Sequence, residues 1–225
     1  MGSMFATLFD FNGVLVDDEH VHLAAFRDVL APRGIAVTEQ AYVERYLGFD
    51  DVGAFRAMLL DSGQSASDDE VAALVRAKKP AYMKRIEEGL KIFPGAVDLV
   101  RRRAERGVVG IVSGALEDEI RYCLDRMGVL SLVSFIVAAE HTKACKPDPE
   151  GYALGLDALA KAGAKGARVT VLEDSVAGIQ AAKALGLRCV GVTHSYPAET
   201  LRAAGADAIV EALAELDDAR FDGVG

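Results

Sequence analysis

FATLFDFNGVLVDDEH, residues 5–20, decides how the rest of the chain is read. It opens as an apolar run, FATLFDF (5–11), interrupted only by Thr7 and Asp10, that reads as the first strand, and such a run fits a strand covered on both faces better than an alternating one would. An Asn12-Gly13 pair follows, and then three acids in a row, Asp17, Asp18 and Glu19. Beyond them the strand pattern stops. HVHLAAFRDVLAPRG, TEQAYVERYLG, DVGAFRAMLLDSG and SDDEVAALVRAKKPAYMKRIEEG all read as helices, with Gly34, Gly48, Gly63 and Gly89 as stop signals.

From about residue 90 the pattern changes to strand and helix in alternation. VVGIVS (108–113), FIVAA (135–139), ARVTVLED (167–174), RCVGVT (188–193) and ADAIV (206–210) read as strands. Helical stretches at 95–106, 116–127, 149–162, 176–185 and 197–204 separate them. This predicts an α/β fold, a doubly wound parallel sheet in residues 1–17 and 90–225, with an all-helical segment, 18–89, inserted after the first strand. Ligands of such sheets bind at the carboxyl ends of the strands, and an insertion leaving from that edge is placed to act as a lid, or cap.

Composition narrows the function classes. The 225 residues carry a formal charge of -9, which disfavours general binding to nucleic acid or to an acidic membrane. No apolar run reaches membrane-spanning length. Cys123, Cys145 and Cys189 are odd in number and form no CxxC, which points to free thiols in a reducing cytoplasm and to no zinc site. The expected partner is a small molecule, and the expected state is a monomer or weak dimer.

Four polar signals fall at strand ends: Asp10 ends the first, Ser113 the second and Glu173-Asp174 the fourth, while Lys146 lies in the loop after the third. A parallel sheet brings these ends to one edge. Asp10 can attack phosphorus and form an acyl phosphate. Asp10 and Asp174 are hard oxygen ligands suited to Mg²⁺, which offsets the repulsion between an anionic nucleophile and an anionic phosphate. Ser113 and Gly114 offer a hydroxyl and backbone N–H groups to phosphate oxygens at a helix start. Lys146 adds a fixed positive charge beside the nucleophile. Singly, each also fits a plainer role: Asp10 in a turn, Ser113 or Ser175 as a helix cap, Lys146 on a solvated surface.

Taken together, LFDFNGVLVDDEHVH, KIFPGAVDLV, GIVSGA, CKPDPEGY and VLEDSVAGIQAAKALGLRCVGV resemble the haloacid dehalogenase superfamily, in particular its β-phosphoglucomutase-like group with a helical cap. The resemblance implies a Rossmann-like core and Asp10 as nucleophile. It implies Ser113 and Lys146 on the phosphate, Asp174 and the Asn12 carbonyl with Asp10 on Mg²⁺, and Glu173 close by. The acidic pair in LEDS suits the Mg²⁺ phosphatase branch. Cap and hinge contacts are expected from Glu19, His22 and the loop around Gly48.

One position departs from the family pattern Asp-x-Asp-Gly. Here it reads Asp10-Phe11-Asn12-Gly13. The resemblance makes the second Asp a proton carrier, and an amide cannot carry that proton. General acid–base catalysis is typically worth ~10²–10⁴-fold. The expectation is therefore a slow phosphohydrolase acting on a small phosphorylated metabolite such as a sugar phosphate, prone to stall as a phospho-aspartate. Other accounts of Asn12 stay open: an engineered trap, another carrier such as Glu19, His20 or His22, or a binder of phosphorylated ligands with weakened catalysis. A phosphosugar mutase is a further alternative, though it needs the shuttle even more. Phosphonate cleavage through a cap lysine is disfavoured, because YLGFDDVGAF holds no lysine and Lys78, Lys79 and Lys84 come late.

Overall fold

The structure, a computed structural model, describes residues 5–223. Six parallel strands form one sheet in the order β3-β2-β1-β4-β5-β6. They are β1 (Phe5–Phe9), β2 (Gly107–Val112), β3 (Phe135–Val137), β4 (Arg168–Glu173), β5 (Arg188–Val192) and β6 (Ala208–Val210). The winding direction reverses at the β1/β4 boundary, and the crevice beyond the carboxyl ends of such a pair is where doubly wound sheets take their ligands. Both expectations of class hold: the sheet is parallel and doubly wound, and its strands are the six continuous apolar runs.

Two compact units make up the described chain. One comprises the residues up to Val16 with those from Ile92 onward, and the other is Asp17–Lys91. The first holds the sheet and its helices: α5 (Ala96–Arg106), α6 (Glu117–Arg126), α7 (Glu150–Leu159), α8 (Val176–Ala184), α9 (Ala198–Ala203) and α10 (Asp218–Asp222). The second contains α1 (Glu19–Leu30), α2 (Glu39–Arg45), α3 (Asp51–Asp61) and α4 (Asp68–Gly89), and no strand.

Burial explains both units. Leu8, Val112, Tyr152, Val171, Ile179 and Cys189 pack on one face of the sheet. On the helical side, Phe26, Leu30, Phe55, Met58, Leu59 and Leu74 form a separate core. Each such side chain contributes roughly 1.5–3 kcal/mol relative to exposure. Helix α4 begins with a capping box, Ser67 with Glu70, and runs on through Pro80. At the other end of the sheet, buried Arg103 of α5 donates to Thr7 Oγ1 at 3.0 Å and to Asp222 Oδ1 at 2.6 Å, with its guanidinium 4.4 Å from the Phe221 ring centroid. That staple ties α10 to the sheet.

Several ends differ from the expectation. β1 stops at Phe9 because residues 11–16 form a turn, with Leu15 N–H donating to Phe11 O at 2.8 Å. Helix α7 stops at Leu159 and passes into a π turn that Gly163 closes at φ 86°. Gly34, Gly48 and Gly63 take the left-handed conformation of helix stops. Gly89 does not. It is the last residue of α4, and Leu90 leaves the helix in extended backbone, which needs no positive φ. Helix α3 opens at Asp51, where the DVGAFRAMLLDSG pattern begins, capped by Asp50 Oδ1 accepting from Gly53 N–H at 2.8 Å, so the loop around Gly48 ends at Asp50. Among the described residues no helix is long and apolar enough to cross a membrane. Cys123 and Cys189 are buried and Cys145 is exposed, all as free thiols.

Candidate active site

The ladder of the sheet continues one residue past the strands and sets the site. Asp10 N–H donates to Leu172 O at 3.0 Å, and Ser113 N–H donates to Val137 O at 2.9 Å. Asp10 thus stands beside the end of β4, which closes on Glu173 with Asp174 next. Ligand oxygens of Asp10, Glu173 and Asp174 lie within 4.8 Å of one another. Lys146 reaches in from the loop before α7. Its Nζ donates to Asp10 Oδ1 at 2.6 Å, to Glu173 Oε1 at 2.6 Å and to Val112 O at 3.2 Å.

Glu173 is the most enclosed of the acids, with 0% exposure. Besides Lys146, its Oε1 accepts from Tyr152 OH at 2.8 Å. Its Oε2 accepts from the Asp174 and Ser175 N–H groups and from Ser175 Oγ at 3.0 Å. Ser175 also caps α8, accepting from Gly178 N–H at 3.0 Å, so its plain capping role and a role beside the site coexist. A Cβ at Gly178 would stand 1.7 Å from Glu173 Oε1, which is why a glycine opens that helix.

Asn12 meets Ser113, whose Oγ lies 3.4 Å from Asn12 Oδ1. Ser113 does not cap α6. That helix starts four residues on, at Glu117, and Ser113 Oγ instead accepts from Ala115 N–H at 3.2 Å. Gly114 is exposed on the same short loop. Gly13 sits at φ 72°, its N–H donating to Val16 O at 2.9 Å, and a Cβ there would come within 2.1 Å of Asp174 Oδ2.

The sequence reading missed one contribution to this edge. From the loop after β5, Ser195 Oγ donates to Asp174 Oδ2, and His194 Nδ1 lies 2.8 Å from Gly13 O. The His194 ring stacks on Phe93 with centroids 3.7 Å apart. No motif marks THSY, so no local pattern announces it.

Three carboxylates therefore cluster at this edge, and the Lys146 ammonium pairs with two of them, Asp10 and Glu173. Burial pushes the Asp10 carboxyl up to about 7, with Glu173 adding to the push and Lys146 pulling the other way. Burial also works against the Lys146 charge, but Asp10 and Glu173 outweigh it and hold that ammonium above its ordinary range. Hard oxygen donors with surplus negative charge are the donor set a small divalent cation requires.

The remaining candidates engage partners within the helical unit. Glu19 Oε2 accepts from Tyr42 OH at 2.7 Å. His22 Nδ1 lies 2.7 Å from Lys78 Nζ, and its Nε2 is 3.4 Å from Asp18 Oδ2. His20 is exposed, 4.0 Å from Asp17 Oδ1. Gly48 is exposed at φ 83°.

Residues 7–192 match the family of haloacid dehalogenase-like hydrolases, and the chain belongs to that family. It is 30% identical over 212 residues to a validoxylamine A 7'-phosphate phosphatase of Streptomyces hygroscopicus subsp. limoneus, covering 93% of this chain and 94% of that one. It is 31% identical over 214 residues to a phosphorylated carbohydrates phosphatase of Thermotoga maritima, covering 92% and 94%. Among solved structures, CbbY from Rhodobacter sphaeroides in complex with phosphate has a TM-score of 0.84 at 25% identity, covering 97% of this chain and 99% of that one.

Proposed function

We propose that this protein is an Mg²⁺-dependent phosphohydrolase that works through an aspartyl-phosphate at Asp10 and acts on a small phosphorylated carbohydrate. The observation that carries the proposal is the meeting of Asp10, Lys146 and Asp174 at the β1/β4 switch point. The relatives named as phosphatases of phosphorylated carbohydrates and of validoxylamine A 7'-phosphate support the substrate class.

The cation would be held by Asp10, Asp174 and the main-chain carbonyl of Asn12. Glu173 is a poorer ligand because both its oxygens already accept from Lys146, Tyr152, Ser175 and the backbone. When bound, Mg²⁺ supplies the positive charge that lets a carboxylate approach a phosphate. Lys146, beside Asp10 Oδ1, binds a phosphoryl oxygen and neutralises charge that builds as the phosphorus–oxygen bond breaks. Ser113 Oγ and the exposed loop amide of Gly114 hold the same group. An Asp10 oxygen bonds to phosphorus and the sugar oxygen leaves. Water then attacks phosphorus, releasing inorganic phosphate and restoring the Asp10 carboxylate.

Both halves need a proton moved, from an acid to the leaving oxygen and then from the attacking water to a base. Asn12 does neither, so the leaving oxygen takes its proton from solvent and the attacking water gives its proton to solvent. The acyl phosphate then outlives its formation. A metal-dependent phosphatase assay over a panel of sugar phosphates, run on this chain beside Asn12→Asp, tests the reading. Asn12→Asp raises turnover by ~10²-fold or more, and the unaltered chain accumulates phosphate on Asp10. Equal and high rates in both forms overturn the limiting role of Asn12, and no phosphate release from either overturns the phosphatase.

A further inference from the structure

Two consecutive residues of the loop after β5 touch the two segments that build the site. Ser195 Oγ donates to Asp174 Oδ2, just beyond β4, and His194 Nδ1 lies 2.8 Å from Gly13 O, just beyond β1. A carbonyl only accepts, so the proton of the pair is on His194 Nδ1, which donates. The imidazole is held from a second side by the Phe93 ring, 3.7 Å between centroids and 13° from parallel. At its start the loop is fixed by Thr193 N–H donating to Val210 O at 3.0 Å. Asp174 Oδ2 is thus bounded by Gly13, where even a Cβ would approach within 2.1 Å, and by the Ser195 hydroxyl.

We infer that Ser195 is a positioning residue for Asp174, turning that carboxylate so that it presents an oxygen to the cation, and that His194 and Phe93 set the loop at the reach this needs. The inference rests on the Mg²⁺ reading proposed above. Its physical basis is general. A carboxylate on a chain with two rotatable bonds loses its aim when nothing holds it, and removing such a supporting hydrogen bond typically costs ~10–100-fold in metal affinity. A serine that merely satisfied its own loop would affect folding and leave metal affinity alone.

Binding of Mg²⁺ alone, followed by titration calorimetry on the full chain, separates the two. The forms compared are the unaltered protein, Ser195→Ala, Ser195→Thr and Asp174→Asn, each with its metal-free melting temperature. Ser195→Ala weakens Mg²⁺ binding by ~10-fold or more at an unchanged metal-free melting temperature. Ser195→Thr, which keeps the hydroxyl, recovers most of the loss. If Ser195→Ala binds Mg²⁺ as the unaltered chain does while Asp174→Asn does not, the positioning role is wrong and the metal site stands. The role is also wrong if Ser195→Thr binds no better than Ser195→Ala, or if Ser195→Ala no longer melts cooperatively. An unaltered chain that takes up no Mg²⁺ overturns the positioning role and the metal site together.

Discussion

Lys146 in the sheet unit, partly buried, and Lys78 in the helical unit, buried, are both paired with carboxylates, and they differ in what surrounds the pair. The Lys146 side chain is 17% exposed, comes from a loop, and faces two carboxylates from two strand ends. That of Lys78 is 1% exposed and sits in mid-helix on α4. It donates to Asp51 Oδ1, lies 2.7 Å from His22 Nδ1, and stands 4.3 Å from the Phe26 ring centroid. Around Lys146 negative charge is in surplus, whereas the Lys78 ammonium has one carboxylate in direct contact. Surplus negative charge at a sheet edge favours a cation over a second carboxylate or a bare anion. A closely matched charge inside a helical core is one that holds helices together.

Removing each lysine is the widest test of that contrast. Lys146→Ala leaves two carboxylates facing each other, one of them fully buried, so it destabilises by about 3–5 kcal/mol and abolishes turnover. Lys78→Ala takes a partner from Asp51, which reaches solvent, and from His22 Nδ1, so it costs less, and Lys78→Met recovers only the packing part of that loss. Urea unfolding of the three variants measures this, and equal losses for Lys146→Ala and Lys78→Ala remove the distinction.

Two glycines sharpen the comparison at smaller scale. Gly13 and Gly34 both have φ 72°, yet a Cβ at Gly34 meets nothing within 4 Å and one at Gly13 meets Asp174 Oδ2 at 2.1 Å. Gly34→Ala costs about 1–2 kcal/mol for the left-handed backbone alone. Gly13→Ala adds overpacking of about 1–3 kcal/mol and displaces Asp174, so Mg²⁺ no longer raises its melting temperature. Thermal melting with and without Mg²⁺ reads both effects. The smallest pair is the two serine caps. Ser67→Ala removes the α4 cap and a donor to Glu70, which lies in the helical unit, and costs about 1 kcal/mol. Ser175→Ala removes the α8 cap by the same amount but also a donor to Glu173, so it alone lowers turnover, as parallel melting and rate measurements on the two variants resolve.

Most of the sheet was legible because its strands are apolar throughout, and the alternation with helices leaves few ways to wind them. Asp10, Ser113, Glu173 and Asp174 were legible for the same reason, since each lies at or just past a strand end, and Lys146 because its loop follows β3, and parallel strands end together. Ser195 and His194 lie past a strand too. They passed unnoticed because neither an acid nor a Lys-Pro marked them, and their roles exist only through Gly13 and Asp174. Tyr152 reads as core from its helical spacing, and only contact with Glu173 reveals its hydroxyl bond. Lys78 was hidden by Lys79 beside it, although the spacing Val71, Leu74, Lys78, Tyr82, Ile86 places it on the buried stripe of α4. A charged residue in phase with an apolar stripe is the signal that would have found it.

The turn after β1 also protects the residue on which the proposed slow rate depends. An asparagine followed by glycine is chemically fragile, because the unshielded glycine nitrogen can close onto the side-chain amide and expel ammonia, and water then opens the ring in part to aspartate. In the folded chain the Gly13 nitrogen is committed to Val16 O and its backbone is held left-handed, away from that closure. Unfolding releases both restraints. Protein recovered from denaturant therefore drifts toward aspartate at position 12, and on the proposed role of Asn12 a faster enzyme emerges from chemical ageing rather than from mutation.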